Sequence, residues 1–136
     1  MILKGRGVTK GKAEGEAMVS TEAFSFLGDI APDTGICNIR LYGLEGVSAI
    51  GKVIVCPTGK GSTRGPFTAY RAAKNGVAPA GFVCGEVEPI LVTGMIAAGI
   101  PCVDKLDQDP LEIIKTGDWV KVDGDNGVVE VIKSSD

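Results

Sequence analysis

The residue types that could do chemistry converge on the run 53–65, Val-Ile-Val-Cys-Pro-Thr-Gly-Lys-Gly-Ser-Thr-Arg-Gly. Ser62 and Thr63 bring adjacent hydroxyls, and Lys60 and Arg64 place positive charge two residues to either side of Ser62. Gly59, Gly61 and Gly65 leave the backbone open to close approach. The β-branched run stopped by a proline reads as a buried strand, and residues 66–74 read as a helix with proline in its first turn. Ser62 is thereby set on a flexible loop between a strand end and a helix start. Unpaired N–H groups and the positive end of the helix dipole favour an anion there. A substrate carboxylate, a phosphate or a serine alkoxide would each be stabilised.

What the chain lacks narrows the chemistry further. It has no histidine among its 136 residues, which removes the usual general base, the usual metal ligand and any phosphohistidine carrier. Its four cysteines, Cys37, Cys56, Cys84 and Cys102, contain no Cys-x-x-Cys, and at least the last three lie in or beside apolar runs. They read as buried thiols, and their spacing supports no metal or iron–sulfur site built from them alone. A formal charge of −3 argues against a nucleic-acid surface. No apolar run is long enough for a membrane span and no signal-peptide pattern opens the chain, so a cytoplasmic protein is expected. The 59–65 loop also fails the order of a nucleotide-binding P-loop.

These residues need elements to position them. Residues 2–8 and 15–20 read as strands, 22–34 as a loop, and 36–41 as a further strand. Helix 67–74 stops at Asn75-Gly76, and residues 80–84 form a second buried strand. An apolar helix begins around Glu88-Pro89 and runs to Ala98, stopping at Gly99. Glu88 suits a helix cap, although the same end could face a cleft. Residues 100–103 make a third buried strand and 111–115 a helical turn. Residues 119–123 and 128–132 form a hairpin. The expected fold is a layered α/β domain over residues 1–136. Two or three short parallel strands carry two main helices, with antiparallel strands on the other side.

The ordered set of Ser25-Phe26-Leu27-Gly28, Pro32-x-Thr34-Gly35, Gly59-Lys-Gly-Ser-Thr63, Asn75-Gly-Val-Ala-Pro-Ala80, Glu88-Pro-Ile90 and Ala98-Gly-Ile-Pro101 resembles the small subunit of the aconitase X group, over roughly residues 2–132. The resemblance implies a swivelling β/β/α domain that works with a large aconitase-like subunit. That subunit would hold an iron–sulfur cluster, with none bound by this chain alone. It also implies loss of water from a β-hydroxy acid, with a cluster iron of the partner as Lewis acid. In the family's archaeal members the substrate is (R)-5-phosphomevalonate, giving trans-anhydromevalonate 5-phosphate, and in fused members it is cis-3-hydroxy-L-proline. Ser62 matches the family's catalytic serine. Arg64, Pro66 and Asp29 depart from the family pattern, Asp29 standing where a second glycine is common.

On this reading Ser62 is the general base, made more acidic by Lys60, Arg64 and the helix start. Gly61, Thr63, Arg64, Lys60 and Ser25 are the substrate-binding candidates, and no residue is assigned to metal. The plain alternatives are a loop or N-cap hydroxyl for Ser62, a solvated arginine for Arg64 and an exposed loop lysine for Lys60. Two further readings compete: a phosphotransfer swivelling domain, whose chemistry the missing histidine excludes, and a non-catalytic module that only closes over a partner's site.

Overall fold

The computed structural model describes residues 1–38, 43–60 and 64–134. The elements follow in the order β1 (Ile2–Lys4), β2 (Arg6–Thr9), β3 (Lys12–Val19), α1 (Phe26–Asp29), β4 (Val53–Cys56), α2 (Gly65–Lys74), β5 (Gly81–Cys84), α3 (Pro89–Ala98), β6 (Cys102–Asp104), α4 (Pro110–Ile113), β7 (Trp119–Asp123) and β8 (Val128–Ile132). The strands join in the order β1-β8-β7-β3-β4-β5-β6-β2. The hairpin and both long helices lie where the sequence places them. The parallel group is larger than expected, because β3 changes partner along its length. Its first half pairs antiparallel with β7, and Ala17, Met18 and Val19 pair parallel with Val53, Ile54 and Val55.

Two other expectations are corrected. The strand over 2–8 is broken at Gly5 into β1 and β2, which pair with different neighbours. The strand expected over 36–41 is reduced to single bridges, Ile30 with Cys37 and Ile36 with Ser48, while residues 39–41 lie outside the described residues. Within the 22–34 loop, α1 is one irregular turn, with Leu27 at ψ 109° and Gly28 at φ 90°.

The buried parallel strands face two ways, as the two-residue period of a strand demands. Ile54, Cys56, Phe82, Cys84 and Cys102 point into a core shared with α2 and α3. Val53, Val55, Val83 and Val103 point into a second core with Val120, Val122, Val129 and Val131 from the hairpin. A β/β/α stacking results. In the first core Phe24, Phe26 and Phe82 meet with ring centroids 5.2 to 5.5 Å apart.

Gly5 brings the ends of the strand order together. β1 and β2 are one residue apart in the chain yet stand at opposite ends of that order, so the sheet curls until its edges meet. The approach is close: a Cβ on Gly5 would collide with the Asp104 carbonyl, and one on Gly124 with that of Thr9. At the other end of β1, the Met1 ammonium donates to the Val131 carbonyl at 3.1 Å, and the Val131 N–H donates to Met1 O at 2.8 Å.

Candidate functional site

β4 ends at Cys56, and the chain leaves the sheet through Pro57 to Lys60. Hydrogen bonds hold this exit on both sides. Phe24 N–H donates to Thr58 O at 3.0 Å and Lys60 N–H to Phe24 O at 2.8 Å. Opposite, Gly85 N–H donates to Cys56 O and Glu86 N–H to Pro57 O, each at 3.1 Å. Gly59 is wedged against the start of α3. A Cβ there would lie 2.6 Å from Leu91 Cβ and 2.8 Å from Glu88 Oε1, so only glycine passes. The backbone entering the loop is fixed by its neighbours.

Gly61, Ser62 and Thr63 lie outside the described residues. Arg64 takes the N-cap position of α2, exposed and without a side-chain cap bond, so the first-turn N–H groups of a ten-residue helix have no side-chain acceptor from it. Ser25 is buried, and its hydroxyl accepts from Leu27 N–H at 3.1 Å, capping α1. Ser25 and Lys60 line a narrow cleft with Phe26, Gly65, Ile90 and Leu91, so the starts of α1, α2 and α3 converge on the exit from β4. Glu88 caps α3, accepting from Ile90 and Leu91 N–H.

The contact that the residue pattern did not signal is that of Asp29 with Lys60. The Asp29 carboxylate is fully buried; it accepts from Ser25 N–H at 2.8 Å and from Lys60 Nζ at 3.2 and 3.4 Å. The two residues are 31 apart in the chain, beyond the reach of any local pattern. A larger groove of about 640 Å³ opens beside them between α1 and α2, lined by Leu27, Gly28, Asn38, Thr68 and Arg71 among others. Another cavity, of about 450 Å³, lies against β3 and the hairpin, away from these loops.

The thiols sit beneath this surface in the core. All four cysteines are free and buried, with Cys56 Sγ and Cys84 Sγ 3.6 Å apart. Burial, and then the charge of Asp29, pushes the Cys37 thiol up to about 11. Hydrogen bonding with Cys102 and then Cys56, together with burial, holds the Cys84 thiol well above its usual value. Iron–sulfur ligation needs accessible thiolates, whereas all four thiols are enclosed in the interior and those of Cys37 and Cys84 are held protonated. Among the described residues, no group of three or more Cys, Asp or Glu could hold a metal ion. This chain's described residues do not fit a cluster. No helix among them is long and apolar enough to cross a membrane.

Comparison with known proteins gives a consistent result. Residues 2–131 match the family model of the aconitase X swivel domain. The chain is 48% identical over 131 residues to the phosphomevalonate dehydratase small subunit of Thermococcus onnurineus, covering 96% of this chain and 98% of that one. It is 47% identical to the same-named subunit of Methanosarcina acetivorans, over 96% of this chain and 91% of the other. Among solved structures, the crystal structure of Thermococcus kodakaraensis aconitase X in its holo-form matches with a TM-score of 0.89 and 44% identity, covering 98% of this chain and 99% of that chain.

Proposed function

We infer the function from one premise: the chain belongs to the aconitase X swivel-domain family. It is the small subunit of a phosphomevalonate dehydratase, a lyase of the mevalonate pathway, and it works with a large subunit. The observation that carries this reading is near full-length identity of 45 to 48% with separate chains that bear that name.

In the proposed reaction, (R)-5-phosphomevalonate loses a proton from the carbon beside its carboxylate and the hydroxyl from the next carbon. The proton passes to Ser62, the two lost groups amount to one water, and the product is trans-anhydromevalonate 5-phosphate. A serine hydroxyl can take this part only if its alkoxide is stabilised. Two features support that: the start of α2, to which the N-cap residue Arg64 gives no side-chain cap bond, and the Arg64 guanidinium itself. Arg64 and Lys60, with the N–H groups of Gly61 and Thr63, are assigned to the anionic groups of the substrate. Ser25 lines the site through its place beside Lys60 and Gly65. The iron–sulfur cluster is assigned to the large subunit, and the complex to the cytoplasm, where four free thiols persist.

The test is anaerobic co-purification with the large subunit, followed by assay with 5-phosphomevalonate and with cis-3-hydroxy-L-proline. Turnover of the first is expected, with none from the 136-residue chain alone. Ser62→Ala should lower kcat by about 100- to 10,000-fold, the usual contribution of a general base. Near-normal turnover by that variant would reduce the chain to a lid. Preference for the proline substrate would reassign the reaction.

A further inference from the structure

We propose that Asp29 is a positioning residue for the anion site, acting through Lys60. This rests on the functional reading above but on a separate set of contacts. Asp29 ends α1, a turn whose start is capped by Ser25, and its carboxylate is sealed from solvent. Both of its oxygens lie within reach of Lys60 Nζ, at 3.2 and 3.4 Å, and one also accepts from Ser25 N–H. The Lys60 side chain is 35% exposed, and its ammonium is held by a carboxylate that is fully buried. An ammonium has three donors, and a single carboxylate does not use them all.

A free lysine at a loop mouth would sample many rotamers, and ordering it on an anion would cost entropy. The buried carboxylate meets that cost during folding. Backbone bonds place Lys60 as well, through Lys60 N–H to Phe24 O and the bridge between Phe24 and Gly59. Asp29 therefore joins the α1 turn to the loop exit and presents the Lys60 ammonium at a set point, one residue before the 61–63 segment. Its contribution is to substrate binding, so it should appear in KM more than in kcat.

The experiment is a double-mutant cycle on the assembled complex with 5-phosphomevalonate, using Asp29→Asn, Lys60→Met and the pair. Asparagine keeps an acceptor for Ser25 N–H, which spares the fold, and thermal unfolding of each variant checks that. Asp29→Asn should raise KM by about 10-fold with kcat within about 3-fold, and should add less than about 2-fold once Lys60 is methionine. An equal effect in both backgrounds, or no effect on KM, overturns the proposal. So does a loss tracked wholly by lowered Tm. If the wild-type complex does not turn over phosphomevalonate, the functional reading fails by itself. The contact is then judged in the 136-residue chain by NMR of the Lys60 ammonium. A signal unchanged by Asp29→Asn overturns the proposal, and a signal lost to averaging supports the fixed ammonium.

Discussion

Cys37, Cys56, Cys84 and Cys102 show how far single residues could be read from the chain. The apolar runs at or beside the last three, and the usual burial of free cysteine, pointed to buried thiols, and all four are buried. What the sequence could not convey is that Cys56 and Cys84 stand opposite each other on neighbouring strands. A thiol enclosed in the core is out of reach of a reagent in solution. At pH 8 a disulfide reagent should therefore leave all four untouched in the native chain and label all four once it is unfolded in guanidinium, as followed by absorbance. Rapid labelling of Cys37 in the native chain would contradict its elevated pKa of about 11. The strand before residues 57–64 and the helix after them were legible because their signals are local. The Asp29–Lys60 pair was not, since no pattern of residue types links positions 29 and 60.

At the scale of elements, the strand–loop–helix unit around residues 53–74 was readable from β-branching, proline and glycine. The glycines read as freedom, but Gly59 is there for want of space. A Cβ there would run into Leu91 and Glu88 at the start of α3, so that helix start sets the path of the loop. Gly59→Ala is expected to destabilise the chain by about 1–3 kcal/mol in urea unfolding, as forced overpacking does. Turnover by the complex should fall too, because the exit toward Ser62 shifts. Unchanged stability would mean that the loop and α3 part easily. The dual pairing of β3 escaped the sequence for a different reason. Side-chain alternation has the same period whether a strand's partner runs parallel or antiparallel, so nothing in residues 12–19 marks where one neighbour gives way to the next.

Across the whole molecule, Asp118 ties distant parts together. It precedes β7, accepts from Lys133 Nζ at 2.7 Å and Ser134 N–H at 3.0 Å beyond β8, and takes Lys115 N–H at 2.9 Å. Burial alone would push its carboxyl up, but the hydrogen bond from Lys133 and those from Ser134 and Lys115 N–H outweigh it, and the net shift is downward. A carboxyl lowered on folding stabilises the native state above its unfolded value of about 3.9, and that stability is lost as pH falls through the lower folded value. Asp118→Asn should thus cost about 1–3 kcal/mol near neutral pH. It should lose less than the parent chain on acidification from pH 5 to 2 in denaturant titrations. Parallel curves would remove Asp118 from the acid response. The layered architecture was legible from buried runs and hairpin chemistry. The meeting of the sheet's two edges was not, because it depends on carbonyls approaching glycines from far along the chain.

The contact between Met1 and Val131 carries a corollary for protein engineering. Met1 and the closing strand β8 lie side by side. The unit could be spliced into a larger host through two short tethers, or its ends sewn together and the chain reopened elsewhere, with the layers left in register.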